Sequence, residues 1–343
     1  MPPRRASRSR RGRTRALFLS LAIGLPLTLT LGLAGCGLPA AVPPPLTGDT
    51  PVRVVAAFYP LEFLARRVGG DRVEVSGLTK PGAEPHDAEL SARSLGSLSY
   101  AHLVVYLSGF QPAVDSAVEA RASGTAYDVR ADAGLEPTAG DAVDDPTGDP
   151  STEPDAHTHD EAHDEGGDGH ADDPHFWLDP LAYAQVGTAL GERLAAVDPR
   201  GAADYRANAA RILDELTALD GQFTAGLAQC RSRTVVVGHA AFGHLAERYD
   251  LTQVPIAGLS PEQEPSARQL AEVAATVRAA GVRTVYAETL ADPAFARTIA
   301  ETTGALLATL DPIEGITTAS AGTDYLEVMR ADLAVLRTGQ ECS

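Results

Sequence analysis

Positive charge is in short supply in this sequence. Its 343 residues carry 28 Lys and Arg against 46 Asp and Glu, a formal net charge of −18. A nucleic-acid partner needs a basic face, so that class is excluded, whereas a cationic ligand suits the surface. Cysteine is scarce too, with three in the chain. A His-Glu-x-x-His sequence is absent, which removes the helix that zinc proteases use to hold metal and general base together. What is there is length: 343 residues can form two domains, each burying its own core.

The first 35 residues stand apart. Seven arginines fall between Arg4 and Arg15, an apolar run follows from Ala16 to Leu33, and Leu33-Ala34-Gly35-Cys36 closes the segment. A basic start, an apolar stretch and small residues before a cysteine form a lipoprotein secretion signal, so 1–35 is expected to be removed and Cys36 acylated. The rest then holds 21 basic residues against 46 acidic, a formal charge of −25. Export places Cys230 and Cys342 in a disulfide-permissive compartment, and neither lies near a histidine-bearing segment. They are expected to pair, closing a loop of about 110 residues worth roughly 2–4 kcal/mol.

Residues 36–51 are rich in Pro, Ala and Gly and read as a flexible tether. From Val52 onward, apolar β-branched runs alternate with helix-like stretches. Strands are expected at Val52–Phe58, Val73–Leu78 and His102–Leu107, with helices at Leu61–Val68 and Leu90–Leu98. Residues 141–173 contain 13 acids, four histidines (His157, His159, His163, His170) and no Lys or Arg, a composition that cannot bury a core. We expect 141–172 to be a disordered insertion in an N-terminal lobe spanning 52–198. A helix at Leu181–Val197 precedes a longer one, 199–228, whose apolar positions Tyr205, Ala209, Ile212, Leu216, Leu219, Phe223 and Leu227 recur every three or four residues. The alternation then resumes over 229–343: strands at Thr234–Val237, Thr252–Ile256, Thr284–Ala287 and Ala305–Leu310, helices at Ala267–Ala280 and Pro293–Thr303. The expected class is α/β, two lobes each with a mainly parallel sheet flanked by helices, joined by a long rigid helix.

Ligands of open α/β sheets bind beyond the carboxyl ends of the strands. His86 stands in the loop after the second strand. His175 re-enters just past the acidic insertion. His239 directly follows Val235-Val236-Val237-Gly238, while Glu288 and Asp311 each follow a strand. Three imidazoles and a carboxylate suit zinc, which favours four nitrogen, oxygen or sulfur donors. His244, five residues past His239, falls about 140° around a helix axis and is assigned a structural or surface role. Glu84 could reach the site or stand as a solvated loop acid.

Four segments carry a family resemblance: Pro81-Gly82-Ala83-Glu84-Pro85-His86-Asp87, Asp173-Pro174-His175-Phe176-Trp177-Leu178-Asp179-Pro180, Gly238-His239-Ala240-Ala241-Phe242-Gly243-His244-Leu245 and Gly258-Leu259-Ser260-Pro261-Glu262-Gln263-Glu264-Pro265-Ser266. Together they resemble the zinc-type solute-binding proteins of bacterial ABC importers. The resemblance implies metal held between the lobes, with His86, His175 and His239 similar to the three histidine ligands and Asp311 to the acidic position. Manganese-type relatives typically carry Glu where His239 stands, so zinc is implied. The acidic histidine-rich insertion resembles a mobile loop of zinc members. The Cys230–Cys342 bridge does not come from the family. The fourth ligand stays open among Glu84, Glu288, Asp311 and water.

The expected function is therefore that of an extracytoplasmic, lipid-anchored zinc-capture protein, monomeric and without catalysis, that hands Zn2+ to the membrane permease of an ABC importer. A zinc hydrolase would need an open metal position and a paired general base. A lipid-anchored adhesin is the remaining class, and it predicts that ligand-histidine variants keep their surface role.

Overall fold

The computed structural model describes residues 45–47, 50–135 and 173–343. The expected secretion signal, Cys36, most of the tether and the acidic insertion lie outside the described residues. Among those described, no helix is long and apolar enough to cross a membrane.

Two four-stranded sheets, parallel throughout, form the frame. The first contains β1 (Val52–Ala56), β2 (Val73–Gly77), β3 (Leu103–Tyr106) and β4 (Ala126–Asp128), in the order β2-β1-β3-β4. The second contains β5 (Thr234–Val237), β6 (Thr252–Pro255), β7 (Thr284–Ala287) and β8 (Leu306–Thr309), in the order β6-β5-β7-β8. The central strands read as unbroken apolar runs because helices cover both faces of a parallel sheet. Val54, Val55 and Ala56 are all buried, as are Val235, Val236 and Val237.

The helices are α1 (Tyr59–Gly69), α2 (Ala92–Tyr100), α3 (Pro112–Arg121), α4 (Pro180–Val197), α5 (Ala202–Leu227), α6 (Gly243–Arg248), α7 (Ala267–Ala279), α8 (Ala294–Thr303) and α9 (Tyr325–Gly339). Their starts are chemically marked. Pro60 sits in the first turn of α1, where its missing N–H costs nothing. Asp179 caps α4 by accepting from the Leu181 and Ala182 N–H groups, and Ser266 with Gln269 forms a capping box on α7. Gly304 closes α8 at φ 77°, a left-handed conformation that glycine adopts without a Cβ clash.

The 26-residue α5 is about 39 Å long at 1.5 Å per residue and links the two halves. The seven positions with regular apolar spacing are its seven buried residues. It packs against α1 and α4 on one side and α9 on the other. Arg67 donates to both carboxylate oxygens of Glu215, and Asn208 donates to the Val68 carbonyl. One continuous core runs from the first sheet through α4 and α5 to α9, and a smaller one lies between the second sheet and α7 and α8.

Cys230 and Cys342 are joined, as expected. Beside them the Gln340 side chain donates to the Thr234 carbonyl at 2.8 Å and accepts from the Tyr286 hydroxyl at 3.0 Å, so the C-terminus is fastened to β5 and β7. Three elements add to the expected set: α3, the three-residue β4, and α9. Past His239 the chain first makes a 3-10 turn, Ala240–Phe242, before α6 begins.

Candidate metal centre

Strand order decides where a crevice can open. In each sheet the chain first moves to one side of the opening strand and then to the other, so the reversal falls between β1 and β3 and between β5 and β7. Loops leaving those strand ends diverge and leave space for a ligand. The loops beyond β2, β5 and β8, with the turn before α4, bring four side chains together there.

His239 follows β5 by two residues. Its backbone N–H donates to Glu288 Oε1 at 2.8 Å, and its Nδ1 lies 2.5 Å from Glu288 Oε2. Glu288, the first residue past β7, therefore fixes both backbone and ring. A Cβ on Gly238 would stand 2.5 Å from Glu288 Oε1, so this approach requires glycine. His175 is held in the same way: Asp173 Oδ1 accepts from its backbone N–H at 3.0 Å and lies 2.7 Å from its Nδ1. His244 Nε2 donates to the Asp173 carbonyl at 2.9 Å, the structural role expected of it. His86 has a different support. Its ring stands edge-on to Phe110, with centroids 4.7 Å apart, and Gln111 donates to the Pro85 carbonyl beside it.

The three imidazoles converge through their Nε2 atoms on Glu314. Glu314 Oε1 is 3.0 Å from His86, 3.0 Å from His175 and 3.6 Å from His239, and the His175 and His239 Nε2 atoms are 3.4 Å apart. All four donor atoms lie within 4.8 Å of one another. Zinc bonded tetrahedrally at 2.0–2.1 Å spaces its ligands about 3.3 Å apart, so the cluster has the dimensions of a zinc tetrahedron. His175, His239 and Glu314 are at most 1% exposed, whereas His86 is 11% exposed and forms the outer side.

The expected carboxylate, Asp311, is not part of this group. Its Oδ1 turns back to accept from the Ile313 N–H, and its own N–H donates to Asp332. Beyond Asp311 the backbone passes through Ile313 at φ 58°, a left-handed conformation rare for a β-branched residue, and this turn aims Glu314 at the histidines. Glu288 stands behind His239. Glu84 is half-buried at the rim, 4.0 Å from His86 Nε2, and accepts from the His86 N–H. Sequence reasoning missed Glu314 because it lies five residues past β8. It also gave no role to Asp173, whose signal was its place two residues before His175.

Burial opposes charge on all these groups, and the partners decide the outcome. Burial would lower His239, yet the Glu288 carboxylate and then Glu314 push it up to about 10. His175 is likewise raised, with Asp173 and Glu314 overcoming its burial. The His86 ring hydrogen-bonds to Glu314 but has no carboxylate on its Nδ1 side like those behind His175 and His239, and burial holds it below the ordinary histidine value. Burial would raise Glu314, but three imidazoles keep it well below the carboxylate range. Glu84 is pushed up to about 8 by burial and by the nearby Glu314 charge. Carboxylates on the Nδ1 side of His175 and His239 hold those protons and direct Nε2 at the cluster, the arrangement metal-binding histidines use.

Two α/β halves on one spanning helix, with a buried three-histidine, one-glutamate cluster at their sheet ends, define a metal-binding protein of the solute-binding class. The chain belongs to the family described as zinc-uptake complex component A, periplasmic, whose model matches residues 54–339. It is 34% identical over 289 residues to the zinc-binding protein AdcA of Streptococcus pyogenes, covering 83% of this chain and 55% of that protein. It thus spans little more than half the length of that relative. It is 32% identical to the high-affinity zinc uptake system protein ZnuA of Bacillus subtilis, covering 83% of this chain and 86% of that one. Among solved structures, the Zn(II)-bound ZnuA-like domain of Streptococcus pneumoniae AdcA matches with a TM-score of 0.65 at 29% identity, over 85% of this chain and 99% of the other. The laminin-binding protein Lmb of Streptococcus agalactiae, described as bifunctional with adhesin and metal-transporting activity, matches with a TM-score of 0.68 at 30% identity, over 84% and 99%.

Proposed function

We propose that this protein captures Zn2+ outside the cytoplasm, holds it between its two halves through His86, His175, His239 and Glu314, and delivers it to the permease of an ABC importer. The observation that carries the reading is the convergence of three Nε2 atoms and one carboxylate oxygen within 4.8 Å. Four protein donors complete a tetrahedral zinc shell, the closed kind of site, which supports binding and release without catalysis. Neutral imidazole in all three nitrogen positions favours zinc over the harder manganese ion. Acylation at Cys36 would keep the protein at the membrane that carries the permease, and a monomer suffices because all four donors come from one chain. The Streptococcus pneumoniae AdcA relative, named a zinc-binding lipoprotein, supports the anchored form.

A competitive zinc and manganese titration of the mature protein with residues 141–172 removed tests the reading. One tight site that prefers zinc is expected, weakened but still present in E314Q and unchanged in D311N. Loss of the tight site with the insertion would place the metal there instead, and preference for manganese would overturn the ion assignment.

A further inference from the structure

Glu314 reaches the cluster from a backbone that does not favour its own conformation. Ile313, the residue before it, is fully buried and sits at φ 58°, where a β-branched side chain crowds its own peptide group. Such a turn persists only if neighbouring contacts hold it. Two contacts lie within its own half of the chain: Asp311 Oδ1 accepts from the Ile313 N–H at 2.8 Å, and Asp332 accepts from the Asp311 N–H at 3.1 Å. The third comes from the other half. The indole N–H of Trp177, two residues past His175, donates to the Pro312 carbonyl at 2.8 Å.

Trp177 is itself fixed on every side. It has no exposed surface, its ring centroid lies 5.1 Å from those of Phe58 and His175 and 5.8 Å from that of Phe110, and the Tyr325 hydroxyl donates to its carbonyl at 2.5 Å. Phe110 in turn abuts His86. One side chain thus touches the turn that carries His175, the aromatic wall of His86 and the loop that carries Glu314.

We propose that Trp177 is a positioning residue that latches Glu314 onto the metal, its indole N–H pinning the Pro312 carbonyl so that the strained Ile313 turn cannot relax. The inference rests on the zinc-capture reading and adds to it what sets the rate of release. While the latch holds, the carboxylate stays against the three imidazoles. When the halves part far enough to break a 2.8 Å contact, the turn relaxes and one of the four ligands withdraws, so the metal is given up by a change at the lobe boundary and not by competition for the ion.

The test is zinc release from the intact mature protein into excess chromogenic chelator, for the wild type, W177F, E314Q and the double variant. Phe keeps the aromatic packing but leaves the Pro312 carbonyl without its buried donor. One such hydrogen bond corresponds to about a tenfold change, so W177F is expected to release zinc about tenfold faster. In the E314Q background, where the latched carboxylate is already gone, W177F should add less than about twofold. A purely structural role would lower thermal stability equally when W177F is added to the wild type or to E314Q, and leave the two effects on release multiplicative. Unchanged release from W177F, or full multiplication in the double variant, overturns the latch. Should W177F not fold, Y325F removes only the hydroxyl that fixes the Trp177 carbonyl; it is expected to speed release severalfold in the wild-type background and not with E314Q, and equal effects in both overturn the latch. A wild type without tight zinc would overturn the capture reading instead, an outcome separate from either of these.

Discussion

Replacing Glu288 by glutamine isolates the support behind one ligand without touching the ligand itself. Glu288 accepts two hydrogen bonds from His239, from the backbone N–H at 2.8 Å and at Nδ1 at 2.5 Å. Glutamine offers one oxygen and one NH2, so one of the two donors is left facing another donor. A lost hydrogen bond to a charged group costs about 1.5–3 kcal/mol, and carboxylates behind metal-bound histidines are worth about 10- to 100-fold in affinity, so the two scales agree. The charge adds a pH signature. Glu288 attracts a proton on His239 Nε2 once and a divalent metal there twice, so losing the charge weakens the metal more than the competing proton. His239, now pushed up to about 10, should fall toward its ordinary value. The affinity deficit of E288Q is therefore expected to be largest in mild alkali and to shrink as the pH falls, with about one proton fewer released on binding. Chelator competition across about pH 6 to 9 measures both quantities. Wild-type affinity, or a deficit that does not change with pH, would refute the reasoning.

Substituting His86 or His239 by Ala should abolish tight zinc binding yet leave the far-ultraviolet circular dichroism unchanged, because both rings face the cluster and not the hydrophobic core; global unfolding of either variant counts against this. Reducing the Cys230–Cys342 bridge, which spans 112 residues of sequence, should cost about 2–4 kcal/mol in denaturant unfolding and leave zinc affinity alone, since neither sulfur is near the cluster. Metal-free protein should lose stability as the pH rises from about 6.5 through 10. His239 is raised on folding, so its contribution is complete below the ordinary histidine value and disappears through the raised one; a thermal midpoint that climbs over that range would contradict the pairing with Glu288. Leu216→Ala, at a fully buried position of α5, should cost about 2–5 kcal/mol, measured by urea unfolding.

Much of this architecture was legible because parallel strands buried on both faces leave an unmistakable apolar run. Thr234–Val237 and Thr284–Ala287 are strands over their full expected spans. The buried face of α5 is the apolar series written in its sequence. Where the pattern is short or shallow, legibility ends: β4 has three residues, too few for any period, and α3 buries only Val114, Ala117 and Val118 along its interior. The strand-helix alternation stops at β8, so α9 falls outside it although Asp324 marks its start and Tyr325, Val328, Met329 and Leu336 share a buried face. In the site, the rule that ligands stand past strand ends pointed to His86 and His239, and the end of the acidic insertion pointed to His175; the structure brings the three together. The same rule pointed to Asp311 as the acid because it assumes that the chain leaves a strand directly. A left-handed Ile313 is written in no periodicity; it goes with tertiary contacts, the hydrogen bond that its N–H donates to Asp311 and the one that the Trp177 indole donates to the Pro312 carbonyl.

Trp177 is also the only tryptophan in the chain. Its indole, buried against His175 and bonded to the loop of Glu314, makes the protein its own optical probe. Excited at the long-wavelength edge where its nine tyrosines barely absorb, the untouched molecule emits from one place, beside the cluster. Loading, proton exchange and separation of the halves all alter what surrounds that ring, so they can be followed in real time without a label.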